Sequence, residues 1–504
     1  MMTLPQSPAI TVADLLGDFV DTSSCPSISI SGLALDSRRV EAGDLFVALK
    51  GAQTDGTQYI AQAEEKGAVA VLFEQGAEAP DCTVPVIAVP QLSEYLSDIA
   101  GVFYAQPSQQ MPVTAVTGTN GKTTCSQLLA QLFALLDEPA GFIGTLGYGL
   151  SSSEISASKN QITDTGLTTP DAISVQRILA ELKQAGAKRV AIEVSSHSLV
   201  QRRVAGLQIE TAIFTNLTRD HLDYHGDLNS YAAAKARLFA MAGLKHAVIN
   251  IDDNTGRLIL ANLDPQVNGI SYSLENHSAD IYCYRISISA SGIDAEIVTP
   301  WGRARLQSTL LGKFNLANLL AVIAAAAAQG FSLDNIVQAA AALTAVAGRM
   351  ELVDASAQPA VVIDYAHTPD ALEKALQALR NHCQGKLWVV FGCGGDRDVG
   401  KRAEMGKVAD HRADNIVVTS DNPRSESPEK IIDQVLLGIS REVSAVVDRR
   451  DAIRSAIADA QPNDVILIAG KGHEDYQIFG AERLPFSDQA EARLALRHRQ
   501  GGDQ

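Results

Sequence analysis

The sequence predicts an α/β protein of three domains built on parallel sheets. Three observations predict it: the length of the chain, the alternation of short apolar runs with helical stretches, and the polar or glycine-rich loops that close those runs. At 504 residues the chain has room for roughly three domains of about 150 residues each. An apolar fraction of 46% is enough for several cores. We place the domains at 1–109, 110–346 and 347–504. No window holds ~18 uninterrupted apolar residues. The start, MMTLPQSPAITVADLLGDFV, lacks a basic segment and is broken by Asp14 and Asp18, so it does not read as a signal peptide. A cytoplasmic, monomeric protein is expected.

The cysteines at 25, 82, 125, 283, 383 and 393 are scattered with no CxxC pair, which suits a reducing compartment and argues against structural zinc. Lys and Arg number 41 against 58 Asp and Glu, a net charge of −17. Binders of duplex nucleic acid are usually basic, so nucleic acid is not an expected partner, and neither is a membrane. Phosphates remain possible ligands if the cations are concentrated locally.

In the first domain, short strands fall at Leu45–Leu49, Ala68–Phe73 and Val84–Val89, with a helix near 57–66. The polar, proline-bearing stretch Ala105–Pro112 reads as a linker. Val113–Val116 is a strand followed by a glycine loop. A helix comes next, with apolar residues at 125, 128, 129, 132, 133 and 136, the spacing of one buried face. Apolar runs at 190–194, 212–215 and 246–249 then alternate with helical stretches at 172–184 and 229–241, the pattern of a doubly wound parallel sheet. The alanine-rich run 317–328 reads as a buried helix.

The third domain repeats this logic in a Rossmann-like form. Val361–Ile363, Leu387–Phe391, Ile416–Thr419 and Val465–Ala469 are apolar throughout, as strands covered on both faces should be. The loops after them are DYAHTPD, GCGGDRD, SDNPRSE and GKGHED. Ligands of open α/β sheets bind beyond the carboxyl ends of the strands, so these four loops are expected to share one rim.

The segment Thr117, Gly118, Thr119, Asn120, Gly121, Lys122, Thr123 opens a helix after a strand and is of P-loop type. Its glycines let backbone N–H groups approach phosphate oxygens, Lys122 reaches the terminal phosphates, and the Thr123 hydroxyl can ligate Mg²⁺. Val116 stands where the usual loop has its first glycine. The signal points to a nucleoside triphosphate and is silent on the reaction. Glu193 ends one strand and His221 follows another, on the same rim. Either alone is more often a structural residue; together they suggest ligands for Mg²⁺, which prefers oxygen. Lys235, on a helix, has nothing in its spacing to select it.

The strings GTNGKTT, EVSSH, TRDHLDYHG, YAAAKARLF, GKFNLAN, GRME, DYAHTPD, GCGGDRD, DNPR and GKGHEDYQ occur in that order, and together they resemble the Mur ligase family. The resemblance runs through all three domains, including Leu35–Arg38 and Gly51–Gly56. It implies an ATP-dependent amide-forming ligase of peptidoglycan precursor synthesis, using ATP and about two Mg²⁺ ions. Within the family it points to addition of meso-diaminopimelate to UDP-N-acetylmuramoyl-L-alanyl-D-glutamate. By the same resemblance, Lys122, Glu193, His221 and Lys235 are the catalytic set. Lys235, as a carbamate, shares Mg²⁺ with His221, and Thr123 and Glu193 hold the other ion. Asn318, Arg349 and Asp364 complete the ATP site. Leu35, Ser37, Ala52, Gln53 and Thr54 receive the uridine diphosphate. Thr168, Thr169, Ser195, Gln201 and Arg203 receive the muramyl peptide. Arg397, Asp421, Asn422, Pro423, Arg424, Gly470 and Glu474 receive diaminopimelate. The sequence departs from the family pattern at Leu167, where asparagine is expected, and at Ala347 and Val399.

Attack of a carboxylate on the γ-phosphate gives an acyl phosphate, which an amine then displaces; the protein's share is positioning and charge neutralisation. A planar guanidinium such as Arg424 fits the second carboxylate that distinguishes diaminopimelate from lysine. The alternatives are the lysine-adding ligase of the same family, folylpolyglutamate synthetase, or a P-loop NTPase or kinase that needs no amino acid.

Overall fold

The computed structural model describes residues 10–51, 55–76, 81–152, 162–289, 292–354 and 357–500. The chain packs as two compact units, one of Met1–Asp280 with Ala324–Phe331, the other of Ile281–Ile323 with Ser332–Gln504. The fold class is α/β, as the alternation of runs required. No helix among the described residues is long and apolar enough to cross a membrane.

In the first unit, β1 (Gly32–Ala34), β2 (Asp44–Ala48), β3 (Ala70–Glu74) and β4 (Val86–Val89) form a parallel sheet in that order. Successive residues of a strand face opposite ways. Leu45 and Leu72 therefore pack with Leu96 and Ile99 of the helix α1 (Leu92–Phe103), while Phe46 and Val71 pack with Ile60 and Ala63 on the other face. The stretch 105–112 is partly buried. Pro107–Gln109 is a 3-10 turn, Pro107, Ser108 and Met111 are buried, and the Ser108 hydroxyl accepts from the Gln208 N–H at 3.1 Å. Gln109 and Gln110 are exposed.

The larger sheet of this unit contains β5 (Val113–Thr117), β6 (Ala140–Gly144), β7 (Gly147–Ser151), β8 (Arg189–Glu193), β9 (Thr211–Phe214), β10 (His246–Asn250) and β11 (Asn268–Ser273). The spatial order is β11-β10-β9-β5-β8-β6-β7, parallel except for the hairpin β6–β7. From β5 the chain works to one side as far as β6 and β7, returns through β8, and then crosses to β9. This reversal opens a crevice above the carboxyl end of β5. Helix α2 (Lys122–Leu135) begins there; α3 (Ala172–Gln184) and α4 (Leu228–Ala236) follow later in the chain.

In the second unit, β12 (Ile281–Ser289), β13 (Gly292–Thr299) and β14 (Gly302–Ser308) form an antiparallel meander. Continuous apolar runs do not announce it, because its strands alternate buried with exposed residues. Helix α5 (Lys313–Ala328), whose residues to Ile323 belong to this unit and whose last five belong to the first, carries the alanine run, with Ala321–Ala326 fully buried. The remaining sheet has a parallel centre of β15 (Ala360–Asp364), β16 (Leu387–Phe391), β17 (Asn415–Val418) and β18 (Val465–Ala469), ordered β15-β18-β16-β17, with Glu351–Leu352 antiparallel at the β15 edge and Ser444–Ala445 parallel at the β17 edge. One face packs Val389, Phe391 and Leu467, the other Val390, Ile466 and Ile468. Cover on both faces is the reason these strands are apolar at every position. Being parallel, they send the loops that follow them to one rim.

Candidate functional site

Two clusters of chemically loaded side chains occur, one in each unit. The first is centred on the loop between β5 and α2. Gly121 caps α2 with φ 90° and supplies no side-chain cap, so the first backbone N–H groups of the helix are open to an anion. Gly118 has φ 145°, and a Cβ there would collide with the Thr215 hydroxyl. The loop thus lies directly against the end of β9, where Asn120 N–H donates to Asn216 Oδ1 at 2.9 Å. Lys122 Nζ folds back over the loop, donating to Gly118 O at 2.9 Å and Thr119 O at 2.8 Å.

Parallel register sets Glu193 beside Val116. From there its carboxylate accepts from Thr123 Oγ1 at 3.0 Å, Thr145 N at 2.9 Å and Thr145 Oγ1 at 3.1 Å. A hydroxyl and a carboxylate in contact are hard oxygen donors of the type Mg²⁺ takes. Thr145 had no signal in the sequence beyond its place at the end of an apolar run.

Spacing on its helix did not single out Lys235, and its surroundings do. Far from being a solvated cation, it is 1% exposed, and its Nζ donates to Gly118 O at 2.8 Å and lies 4.5 Å from the centre of the Tyr231 ring. Burial, reinforced by the Lys122 ammonium, holds its amine well below the usual lysine value. Burial also pushes the Tyr231 phenol up to about 12. The ring of His221 is 6.2 Å from that of Tyr231, so His221 and Lys235 flank one aromatic side chain. His221 is about half exposed, holds a left-handed backbone with φ 52°, and lies 3.4 Å from Asp220. Among the described residues no group of three His, Cys, Asp or Glu could hold a metal ion. An ion here would have to draw on other oxygens as well, such as the Thr123 hydroxyl.

The residues expected to receive the muramyl peptide are joined to Glu193 by hydrogen bonds. The Thr168 and Thr145 hydroxyls lie 3.1 Å apart, and Thr169 Oγ1 donates to the Glu193 carbonyl at 2.8 Å while accepting from Ser195 N at 3.1 Å. Arg203 donates to Thr169 O at 2.6 Å and to Gln201 Oε1 at 3.0 Å. Leu167 is exposed. Leu35 is half-buried, and the Ser37 hydroxyl is turned inward to Gln62 at 2.6 Å. Ala52, Gln53 and Thr54 lie outside the described residues.

In the second unit, Arg349 and Asp364 are neighbours: the guanidinium lies 4.8 Å from the Tyr365 ring, and Asp364 accepts from Met350 N at 2.8 Å. Burial raises the Asp364 carboxyl, and Arg349 partly opposes this. Asn318 is buried on α5 with its amide donating to Asn315 at 3.1 Å. The four loops do share a rim. Arg424 Nη1 donates to Gly395 O at 2.8 Å, and Asn422 Nδ2 donates to Glu474 Oε2 at 2.8 Å. Asp421, Asn422 and Pro423 are buried, and Gly470, at φ 116°, brings backbone close to Asp421. Arg397 is exposed and makes no hydrogen bond or ion pair among the described residues.

A glycine loop of P-loop type in a sheet crevice, beside a threonine hydroxyl and a carboxylate, defines an α/β protein of the nucleoside-triphosphate-using class. Three family models match in order: Mur ligase family, catalytic domain, over residues 29–104; Mur ligase middle domain over 116–326; and Mur ligase, glutamate ligase domain, over 348–472. The chain is 48% identical to the UDP-N-acetylmuramoyl-L-alanyl-D-glutamate–2,6-diaminopimelate ligase of Pseudomonas putida, covering 98% of each chain. It is 49% identical to the Pseudomonas aeruginosa protein of that name, covering 93% of this chain and 95% of that one. A solved structure of a ligase with the same name superposes with a TM-score of 0.73 at 36% identity, covering 98% of this chain and all of the other. The chain belongs to the Mur ligase family, and it is an ATP-dependent, amide-forming ligase.

Proposed function

We propose that this ligase joins meso-2,6-diaminopimelate to UDP-N-acetylmuramoyl-L-alanyl-D-glutamate, releasing ADP and phosphate, as a cytoplasmic monomer. The domain limits proposed with this reading are 1–109, 110–346 and 347–504. The observation that carries the amino-acid choice is the Asn422 site, with Arg424 on one side and Glu474 on the other. A guanidinium there can take the distal carboxylate of the amino acid, and Glu474 the distal ammonium. Likeness over nearly the whole length to ligases named for this reaction supports the same reading.

In the reaction proposed, a carboxylate oxygen of the D-glutamyl residue attacks the γ-phosphorus and the bond to the ADP oxygen breaks. The neutral amine nitrogen of diaminopimelate then attacks the acyl carbon, phosphate leaves with the carbon–oxygen bond pair, and the proton the nitrogen loses passes to the departing phosphate or to solvent. Lys122 and the open N–H groups of α2 would bind and neutralise the phosphoryl oxygens. Thr123 and Glu193 would hold one Mg²⁺, and His221 with Lys235 a second, offsetting phosphate charge. Lys235 suits this role only as a carbamate: its neutral amine would add to CO₂ and lose a proton, turning a nitrogen donor into an oxygen donor. Asn318, Arg349 and Asp364 are proposed for ATP. Leu35, Ser37, Ala52, Gln53, Thr54, Thr168, Thr169, Ser195, Gln201 and Arg203 are proposed for the nucleotide sugar. Arg397, Asp421, Pro423 and Gly470 are proposed to complete the amino-acid site.

Phosphate release with UDP-muramyl dipeptide and ATP tests this reading, with diaminopimelate, lysine or no amino acid added. Release that depends on diaminopimelate, with a product of the summed mass less water, is expected. Release that ignores the amino acid, or prefers lysine, defeats the reading.

A further inference from the structure

Lys471 lies within the GKGHED loop, is 0% exposed, and has no part in the reading above. Its Nζ carries three donors and meets three acceptors, each on a residue of the proposed amino-acid site. It donates to Asn422 Oδ1 at 3.1 Å and Glu474 Oε2 at 3.0 Å, and stands 3.6 Å from Asp421 Oδ1. The Tyr476 ring covers it, with its centre 5.3 Å from Nζ. Asn422 Oδ1 also accepts from Ile478 N at 3.1 Å, so both lone pairs of that oxygen are used. The amide is thereby held with its nitrogen toward Glu474. Glu474 Oε2 is engaged by both Lys471 and Asn422, while Glu474 Oε1 makes no hydrogen bond among the described residues. One oxygen is anchored and the other makes no such bond.

We infer that Lys471 is a positioning residue for amino-acid specificity: it anchors Glu474 and fixes the Asn422 amide, leaving one carboxylate oxygen to receive the distal ammonium of a diamino acid. Two carboxylates, Asp421 and Glu474, come together at the end of the sheet with little water. Without the intervening cation they would repel each other, and a half-buried carboxylate left unpaired is costly. Lys471 therefore permits this site to keep two acidic groups close together and to direct one of them outward. The inference rests on the proposed amino-acid substrate.

The test uses the full-length enzyme with saturating ATP and nucleotide sugar. Diaminopimelate-dependent phosphate release by the unaltered protein is the control; if that is absent, the substrate reading fails and Lys471 is not at issue. Given the control, Lys471→Met is expected to raise the KM for diaminopimelate by about 10- to 100-fold, with the KM for ATP and for the nucleotide sugar unchanged. An unchanged KM for diaminopimelate, or an equal rise in all three, overturns the inference. A second comparison separates positioning from plain packing and avoids leaving an unpaired buried carboxylate, should the single variant not fold. If Lys471 acts through Glu474, Lys471→Met added to Glu474→Gln changes the diaminopimelate KM by less than about twofold beyond Glu474→Gln alone. A further rise of tenfold or more, or a doubly altered protein that does not fold, assigns Lys471 an independent structural role and overturns the inference.

Discussion

Lys122 and Lys235 donate to the same carbonyl oxygen, that of Gly118, at 2.9 and 2.8 Å. Two amines on one acceptor cannot both carry charge cheaply, and the one sealed from water is the one to give up its proton. The arrangement explains why the amine of an ordinary lysine on α4 is held well below the usual lysine value beside Lys122. A neutral amine is also the form able to add to CO₂.

Lys235→Met is expected to cut kcat by about 100-fold or more without loss of stability. Gly118 O keeps its bond from Lys122, and the variant no longer buries an amine. The folded amine titrates below its ordinary 10.5, so folding between those two values expels a proton and costs stability. That cost shrinks as pH rises toward the unfolded value. Thermal unfolding should place the variant at or above the parent near pH 7, with the difference narrowing at alkaline pH. A difference that widens with pH would contradict the neutral amine.

Gly144→Ala probes the seat of Glu193. An added Cβ would stand 2.6 Å from Glu193 Cδ, so the carboxylate must move away from Thr123 and Thr145. Overpacking of this kind costs about 1–3 kcal/mol. We expect a lower melting temperature and a weakened apparent affinity for Mg²⁺ in a metal titration of activity, with the KM for diaminopimelate unmoved.

Arg424→Ala removes the guanidinium that would take the distal carboxylate. A lost charged hydrogen bond is worth about 1.5–3 kcal/mol, so the KM for diaminopimelate should rise about 10- to 100-fold while ATP binding stays as it was. Steady-state kinetics with each substrate varied in turn would check this, and an unchanged KM for diaminopimelate would remove Arg424 from the site.

Behind the rim lies a buried ion pair. Arg449 Nε is 2.7 Å from Asp488 Oδ1, both side chains are 0% exposed, and the guanidinium also donates to the carbonyls of Ser420 and Ala469 at 3.3 and 2.9 Å. Those carbonyls immediately precede Asp421 and Gly470. Asp488→Ala leaves a buried cation unpaired and should cost about 3–5 kcal/mol in urea unfolding. Replacing both partners by leucine should cost less, because no charge is then stranded.

Much of the fold was legible because parallel strands covered on both faces announce themselves as unbroken apolar runs. Leu387–Phe391 and Val465–Ala469 were read from the sequence with the bounds the structure has. The phosphate loop was legible because its glycines and lysine act through local geometry. The β12–β14 meander was missed, since strands buried on one side only show weak alternation. Ala105–Pro112, read as a linker, falls between the segments 29–104 and 116–326 matched by two of the family models.

By itself, then, the sequence determined the α/β class, the phosphate loop and the set of loops that gather at strand ends, because each follows from short-range spacing or from burial on two faces. Only the tertiary structure decided the state of Lys235 and the grouping of Lys471 with Asp421, Asn422 and Glu474. Burial and charge pairing depend on which distant segments close over a side chain, and sequence spacing around one lysine carries no record of that.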